Sequence, residues 1–202
     1  PRKRIGKCSM NNIPTTGELF ATNIYYIFAI AYIIRITLIP DSIHKQMLIG
    51  ISPVVGPELL SVLYRMGHGD EIVLADAFFP GDTYGKRLIR CDGTSINDLL
   101  KGILPLISLD TYVDTPITMM ATASSDHLEP SIEQSYQQTI RHFWPDTPQA
   151  GHIERYEFYD RAKHAFAIVM TGEMAKYSNI ILRKGVPDPE IINNLGCEPA
   201  TS

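Results

Sequence analysis

Residues 57–77, PELLSVLYRMGHGDEIVLADA, join a predicted helix directly to a predicted strand. Apolar residues recur at helical spacing from Pro57 to Met66, with proline in the first turn and Gly67 where the helix should stop. The run from Glu71 to Ala77 is short, apolar and rich in strand-forming residues. A helix followed by a buried strand indicates an α/β domain.

The alternation of helix and strand continues downstream. Ser95 is predicted to cap a helix that runs to about Leu104, and further helices are expected at 130–143 and 157–164. Strands are expected at 117–123, 165–170 and 179–183, and residues 144–151 should form a loop because two prolines interrupt them. We predict one α/β domain with helix/sheet/helix layers and a mixed, partly parallel central sheet.

The two ends of the chain differ from the domain, which we place at 47–187. Basic residues near the N-terminus precede an apolar run at 24–34, as in a signal or anchor segment. That run is about half of the roughly 20 residues that span a bilayer, so a spanning helix is not expected. Membrane association of residues 20–39 and secretory targeting stay open as alternatives. We predict that residues 1–46 form an extension outside the domain and that 188–202 form a flexible tail.

Composition narrows the classes of function. The net charge is −4 and the basic residues are scattered beyond the N-terminus, so a nucleic-acid partner is not expected. The three cysteines are far apart and match neither a disulfide framework nor a zinc site, which favours a reducing compartment such as the cytoplasm. The six histidines form no metal-binding motif, so no metal is expected. The Gly-x-Gly at 67–69 follows a helix rather than a strand, which argues against a dinucleotide cofactor.

Two residues beside the first strand could do chemistry. His68 lies between two glycines that leave room for a ligand, and histidine is the side chain most easily used as acid and base near neutral pH. The alternative is an exposed loop residue. Asp76 lies near the carboxyl end of the strand, where a carboxylate can accept hydrogen bonds from ligand hydroxyls or can cap the following loop.

Three residues further along the chain are also candidates. Arg155 could direct its forked guanidinium at ligand oxygens, or could pair with neighbouring glutamates on the surface. Tyr177 and Asn179 occupy alternate positions on what we predict to be extended backbone, so their side chains should share one face. Motifs for serine hydrolases, P-loop enzymes and cysteine nucleophiles do not occur in the sequence, which leaves proton transfer or simple binding.

A series of linked motifs between Met47 and Val186 resembles one family, the L-fucose mutarotases, which are sisters of the D-ribose pyranases. The matching segments are ISPVVGPELL, MGHGDEIVLADAFFPG, IRCDG, LPLISLDTYV, RYEFYDRAKHAFAIVMTGE and KYSNIILRKGV. Animal-type fucose mutarotases are the members that the motifs resemble most. One departure is Ser178, because the family usually has glycine between the tyrosine and the asparagine.

The resemblance implies a cofactor-free isomerase that interconverts the α and β anomers of L-fucose. It implies that His68 is the acid/base, and that Asp76, Arg155, Tyr177 and Asn179 contact the sugar. It also implies a homo-oligomer with the site at or near a subunit boundary. The alternatives are pyranose–furanose interconversion of D-ribose, or a monosaccharide-binding module without catalysis.

Overall fold

A computed structural model describes the fold of residues 48–124 and 126–189. The helices are α1 (Pro57–Arg65), α2 (Gly81–Tyr84), α3 (Ile96–Ile103), α4 (Pro130–Phe143) and α5 (Arg155–His164). The strands are β1 (Glu71–Ala75), β2 (Leu88–Cys91), β3 (Ile117–Met120), β4 (Gly151–Ile153), β5 (Ala167–Thr171) and β6 (Ile180–Arg183).

The strands form one mixed sheet in the order β2-β5-β1-β6-β3-β4. The pairs β2–β5, β5–β1 and β3–β4 are parallel, whereas β6 runs antiparallel to both of its neighbours, β1 and β3. Five strands therefore share one direction and β6 opposes them. The prediction of an α/β fold with a mixed, partly parallel sheet is confirmed.

Side chains of β1 alternate between two hydrophobic clusters, one on each face of the sheet. Ile72 and Leu74 belong to the cluster formed with α1, α3 and α4. Val73 and Ala75 belong to the cluster formed with α5. All four side chains are fully buried. Burial of a large aliphatic side chain contributes about 1.5–3 kcal/mol to stability. This alternation gives the helix/sheet/helix layering, with the central strands covered on both faces.

Several helix boundaries follow their sequence signals. Helix α4 spans Pro130–Phe143, as predicted. Ser95 is the N-cap of α3, and its side chain accepts a hydrogen bond of 3.1 Å from the backbone N–H of Asp98. Helix α5 begins at Arg155 rather than at the predicted Glu157, because Glu154 caps it through a 2.7 Å hydrogen bond from the backbone N–H of Tyr156.

The strand predictions were less accurate. Strands β2 and β4, which were not predicted, have four and three residues and lie at the two edges of the sheet. Segments this short carry too little periodicity to be recognised. Strand β1 ends at Ala75, two residues before the predicted end, because the backbone N–H of Asp76 donates to the side chain of Asn179 instead of to a strand.

The two terminal segments lie mostly beyond the described residues. The predicted extension at 1–46, with its apolar run at 24–34, lies outside the described residues, as does the tail from residue 190. Among the described helices, none has the length and apolar character needed to cross a bilayer.

Gly172 follows β5 at a point where its backbone lies against the backbone of Asp92 and Thr94. Its N–H donates to the carbonyl of Thr94 at 2.9 Å, and a Cβ at this position would lie inside van der Waals contact of the Asp92 carbonyl. We expect Gly172→Ala to lower the free energy of unfolding by about 1–3 kcal/mol, because the backbone segments must separate. Thermal unfolding at a fixed protein concentration measures this effect.

The matched control is Gly93→Ala. A Cβ at Gly93 would contact nothing within 4 Å, so this substitution should change stability by no more than about 0.5 kcal/mol. Equal melting temperatures for the two variants would contradict the proposed close approach at Gly172.

Candidate functional site

A pocket of about 190 Å³ lies at the carboxyl ends of β1 and β3, beside the start of α5 and the turn before β6. Ligands of open α/β sheets commonly bind at this end of the parallel strands. The volume is below the roughly 300–1,000 Å³ of pockets for drug-sized molecules and suits a smaller ligand. The pocket is lined by Asp76, Phe78, Phe79, Met120, Asp126, Arg155, Tyr159, Lys176, Tyr177 and Asn179.

Asp76 is almost fully buried and joins β1 to the turn before β6. Its carboxylate accepts hydrogen bonds from the backbone N–H groups of Phe78 at 2.9 Å and Tyr177 at 3.1 Å, and from Asn179 Nδ2 at 2.8 Å. Asn179 Oδ1 in turn accepts a 2.8 Å hydrogen bond from the backbone N–H of Asp76. Asp76 therefore caps the following loop, which was one of its two predicted roles, and also borders the pocket.

The surroundings of Asp76 act on its ionisation in opposite directions. Burial raises the pKa of Asp76 above its ordinary value, and the hydrogen bonds from Phe78, Asn179 and Tyr177 oppose that rise. Because both carboxylate oxygens already accept protein hydrogen bonds, a ligand hydroxyl that reaches Asp76 has to share an oxygen with these donors.

The backbone at Tyr177 is not extended, so this prediction was wrong. Tyr177 has φ of +65°, in the left-handed region, and β6 begins only at Ile180. Asn179 and Tyr177 nevertheless both line the pocket, because the turn rather than a strand directs them there. The Ser178 hydroxyl donates a 2.7 Å hydrogen bond to the carbonyl of Ala175, so a serine is accommodated at this position of the turn.

The phenol of Tyr177 has a partner that sequence reasoning missed. Its hydroxyl donates a 2.9 Å hydrogen bond to Asp126 Oδ2, and this bond raises the pKa of Tyr177. Tyr177 therefore stays a protonated phenol near neutral pH, and because its hydroxyl hydrogen is donated to Asp126, its oxygen can accept a hydrogen bond from a ligand. Asp126 lies 51 positions away in sequence, and no local pattern indicated that it would meet Tyr177.

Arg155 occupies the first position of α5 and points its guanidinium toward the pocket. Its Nη2 donates to the Tyr156 hydroxyl at 2.9 Å, and its guanidinium carbon lies 4.7 Å from the centre of the Tyr156 ring. Tyr159 lies one helical turn after Arg155 and lines the same pocket. The predicted helix began at residue 157 and left Arg155 outside it, so the one-turn spacing of the two residues was not evident from the sequence. Its ring packs edge-on against Phe79, with centroids 5.4 Å apart.

His68 lies at the opposite end of β1 from this pocket. It belongs to a turn in which the N–H of Asp70 donates to the Gly67 carbonyl at 3.3 Å and Gly69 has φ of +82°. The strand steps from Glu71 to Asp76 alone span roughly 16 Å, at about 3.3 Å per residue. Within one chain, four of the five predicted site residues come together and His68 does not.

The surroundings of His68 form a second polar cluster. Its Nε2 lies 3.3 Å from Asp110 Oδ1, and its ring packs edge-on against Tyr112 with centroids 5.6 Å apart. The His68 side chain is 48% exposed, whereas that of Asp110 is 1% exposed. Asp110 belongs to the LPLISLDTYV motif, but the sequence alone assigned it no role.

Among the side chains of residues 48–124 and 126–189, no three or more of His, Cys, Asp or Glu converge as a metal site would require.

Known proteins are similar to this chain in sequence and in fold. The sequence profile of the RbsD / FucU transport protein family matches residues 49–187. The L-fucose mutarotase of Histophilus somni is 51% identical over 140 residues, which cover 69% of this chain and 97% of that protein. That of Actinobacillus pleuropneumoniae is 50% identical over the same shares. The fucose mutarotase of Streptococcus pneumoniae, solved in complex with L-fucose, is 46% identical with a TM-score of 0.67 and covers 70% of this chain and 100% of its own. The chain thus belongs to the RbsD/FucU family.

Proposed function

We propose that this protein is an L-fucose mutarotase, an isomerase that interconverts the α and β anomers of the free sugar. The observation that carries the proposal is the pocket where Arg155, Tyr177 and Asn179 surround the buried Asp76. It occurs in a chain about half identical to proteins named L-fucose mutarotase. A fold neighbour at 46% identity was solved with L-fucose bound.

Mutarotation opens and recloses the sugar ring with proton transfers and without oxidation or reduction. A base removes the proton from the anomeric hydroxyl, the electron pair forms the aldehyde C=O, and the bond from the anomeric carbon to the ring oxygen breaks while that oxygen takes up a proton. Rotation about the bond between the first two carbons and the reverse steps close the ring on the other face. No electrons leave the sugar, so protonatable side chains suffice, and each contributes about 10²- to 10⁴-fold in rate.

The side chains of the pocket divide these tasks. Tyr177 stays protonated near neutral pH and donates its hydrogen to Asp126, so it can pass a proton to the ring oxygen only as a relay, in which the sugar or a water displaces Asp126 as the acceptor. The guanidinium of Arg155 offers several N–H donors to sugar oxygens. Asn179 lines the pocket and is 2% exposed, and its amide nitrogen is held by Asp76 and Met120, so its oxygen is the atom with capacity left to accept from the sugar. His68 is the remaining acid/base of the proposal.

Because His68 is remote from the pocket of its own chain, we infer that it acts on the sugar bound to a neighbouring subunit. Exposed aromatic side chains at both ends of β1 support this arrangement. Phe78 and Tyr156 are 56% and 63% exposed beside the pocket, and Tyr112 is 78% exposed beside His68. Two different surfaces that meet in a head-to-tail contact generate a closed ring when the rotation closes. The homo-oligomer is thus part of the proposed function.

Two alternatives use the same pocket. A D-ribose pyranase would perform the same ring opening but reclose to a furanose, and a sugar-binding module would bind without exchange. The high identity to proteins named L-fucose mutarotase favours the L-fucose mutarotase over both alternatives. The scattered cysteines support the cytoplasm as the proposed compartment. The family match at 49–187 supports residues 47–187 as the proposed catalytic domain.

The roles of His68 and Arg155 predict different kinetic effects. His68→Ala should lower kcat for anomer exchange of L-fucose by about 10²- to 10⁴-fold, because it removes an acid/base. Arg155→Ala should mainly raise KM, because a donor to a non-reacting hydroxyl binds ground and transition states alike. Magnetisation transfer between the anomeric protons measures both, with L-fucose expected to exchange faster than D-ribose. A fully active His68→Ala variant would refute the role of His68.

A shared site predicts complementation between defective subunits. Co-expression of His68→Ala and Arg155→Ala chains, purified through a different tag on each, creates contacts in which an intact His68 faces an intact pocket. For random assembly at equal ratio, about one quarter of the contacts are of this kind, so about one quarter of wild-type activity should return at L-fucose concentrations far below KM. No gain over the separate variants would indicate that each chain carries a complete site.

Removal of residues 1–46 should leave anomer exchange within about twofold of the full chain. Every proposed site residue lies beyond residue 46, and the family match begins at residue 49. The comparison uses kcat and KM of the full and shortened chains, together with their circular dichroism spectra. A shortened protein with an intact spectrum and no activity would show that the extension belongs to the catalytic unit.

A further inference from the structure

Asp110 is a buried carboxylate held in place mainly by groups other than His68. Its Oδ2 accepts a 2.9 Å hydrogen bond from Arg183 Nε, and its Oδ1 accepts one of 3.0 Å from the backbone N–H of Tyr112. Burial pushes the pKa of Asp110 upward, but the hydrogen bonds from Tyr112, Arg183 and His68 outweigh it and hold the pKa below its ordinary value. Asp110 is therefore a carboxylate anion near neutral pH.

Arg183, the main cationic partner of Asp110, is itself fixed by further charges. Its Nη1 lies 3.6 Å from Glu71 Oε1. Glu71 accepts two hydrogen bonds from Arg161, at 2.9 and 2.7 Å, and Arg161 also donates to Thr118 on β3 at 2.9 Å. This chain of ion pairs crosses from α5 through β1 to β6, so the position of Asp110 is set by the sheet.

We propose that Asp110 is a positioning residue that selects the tautomer of His68. An ionised carboxylate only accepts hydrogen bonds, so the imidazole nitrogen that faces it, Nε2, must carry a proton. In the neutral ring, Nδ1 is then unprotonated and is the nitrogen available to the sugar. This inference rests on the proposed function, in which His68 is the acid/base, and it adds which nitrogen reacts and what holds the ring.

The arrangement has two effects on the reaction. Neutral His68 presents a base at Nδ1, and the Asp110 charge stabilises the imidazolium that forms when Nδ1 takes the proton of the anomeric hydroxyl. The edge-on contact with Tyr112 and the bond to Asp110 hold a half-exposed ring in one orientation. A fixed ring avoids the loss of rotamer freedom when the sugar binds.

The wild-type protein tests the tautomer directly. In protein labelled with ¹⁵N-histidine and held at a pH where the His68 ring is neutral, ¹⁵N NMR should show a protonated Nε2 and an unprotonated Nδ1. His68→Asn identifies the His68 signals by their loss. A neutral ring protonated at Nδ1 would overturn the proposal.

Asp110→Asn should weaken the control of the tautomer. An amide is uncharged and has one acceptor oxygen, for which Arg183 Nε and the backbone N–H of Tyr112 compete, so no anionic acceptor then requires a proton on Nε2. The neutral ring should no longer be held in one tautomer, so a measurable fraction should be protonated at Nδ1, and kcat for L-fucose should fall about 10- to 100-fold with little change in KM. Anomer exchange and the ¹⁵N spectrum of the same sample measure both effects.

Glu71→Gln is the matched control for damage to the ion pairs. It removes the charge of Glu71 from the other side of Arg183 without touching His68. The amide oxygen of glutamine can still accept from Arg161 and Arg183, so Asp110 should keep its position. This variant should lose a similar amount of thermal stability but keep the wild-type tautomer, with kcat within about threefold. Wild-type kcat for Asp110→Asn, beside an inactive His68→Ala, would overturn the positioning role alone. A fully active His68→Ala would overturn it together with the proposed role of His68.

Discussion

The reversed direction of β6, which lies between β1 and β3, decides which residues share an end of the sheet. Because β6 is antiparallel to β1, its first residues meet the carboxyl end of β1 and its last residues meet the amino end. Asn179 thereby reaches Asp76 at one end, and Arg183 reaches the surroundings of His68 at the other. One strand organises both polar clusters and separates them by its own length.

Each cluster depends on a buried carboxylate whose oxygens are already hydrogen-bonded. Asp76 closes the turn before β6, and Asp110 holds Arg183 and lies within hydrogen-bond distance of His68 Nε2. Buried charges are tolerated when all their hydrogen bonds are made, and such networks are rigid. Rigidity suits a reaction that consists of proton transfers, because the donors and acceptors must already be oriented when the ring opens. In the function that we propose, the two ends become one site when subunits meet.

The sequence predicted the layers, the mixed sheet and most helices because those features depend on local periodicity and on residues such as Pro130 and Ser95. It missed strands β2 and β4, since their few residues become strands only by pairing with neighbours. It also missed Asp126 and Asp110 as partners, because such contacts join positions far apart in the chain. The separation of His68 from Asp76 was implicit, however, since a strand lies between them.

A crystal structure of the full chain with bound L-fucose would test the central claim, a sugar site completed by a neighbouring subunit. The decisive measurement is the distance from His68 of one subunit to the anomeric hydroxyl of the sugar in the other subunit's pocket. We expect a distance of about 2.6–3.2 Å, or one bridging water, with Arg155 and Asn179 contacting the same sugar. A sugar in the pocket with every His68 of the assembly remote from it would contradict the account.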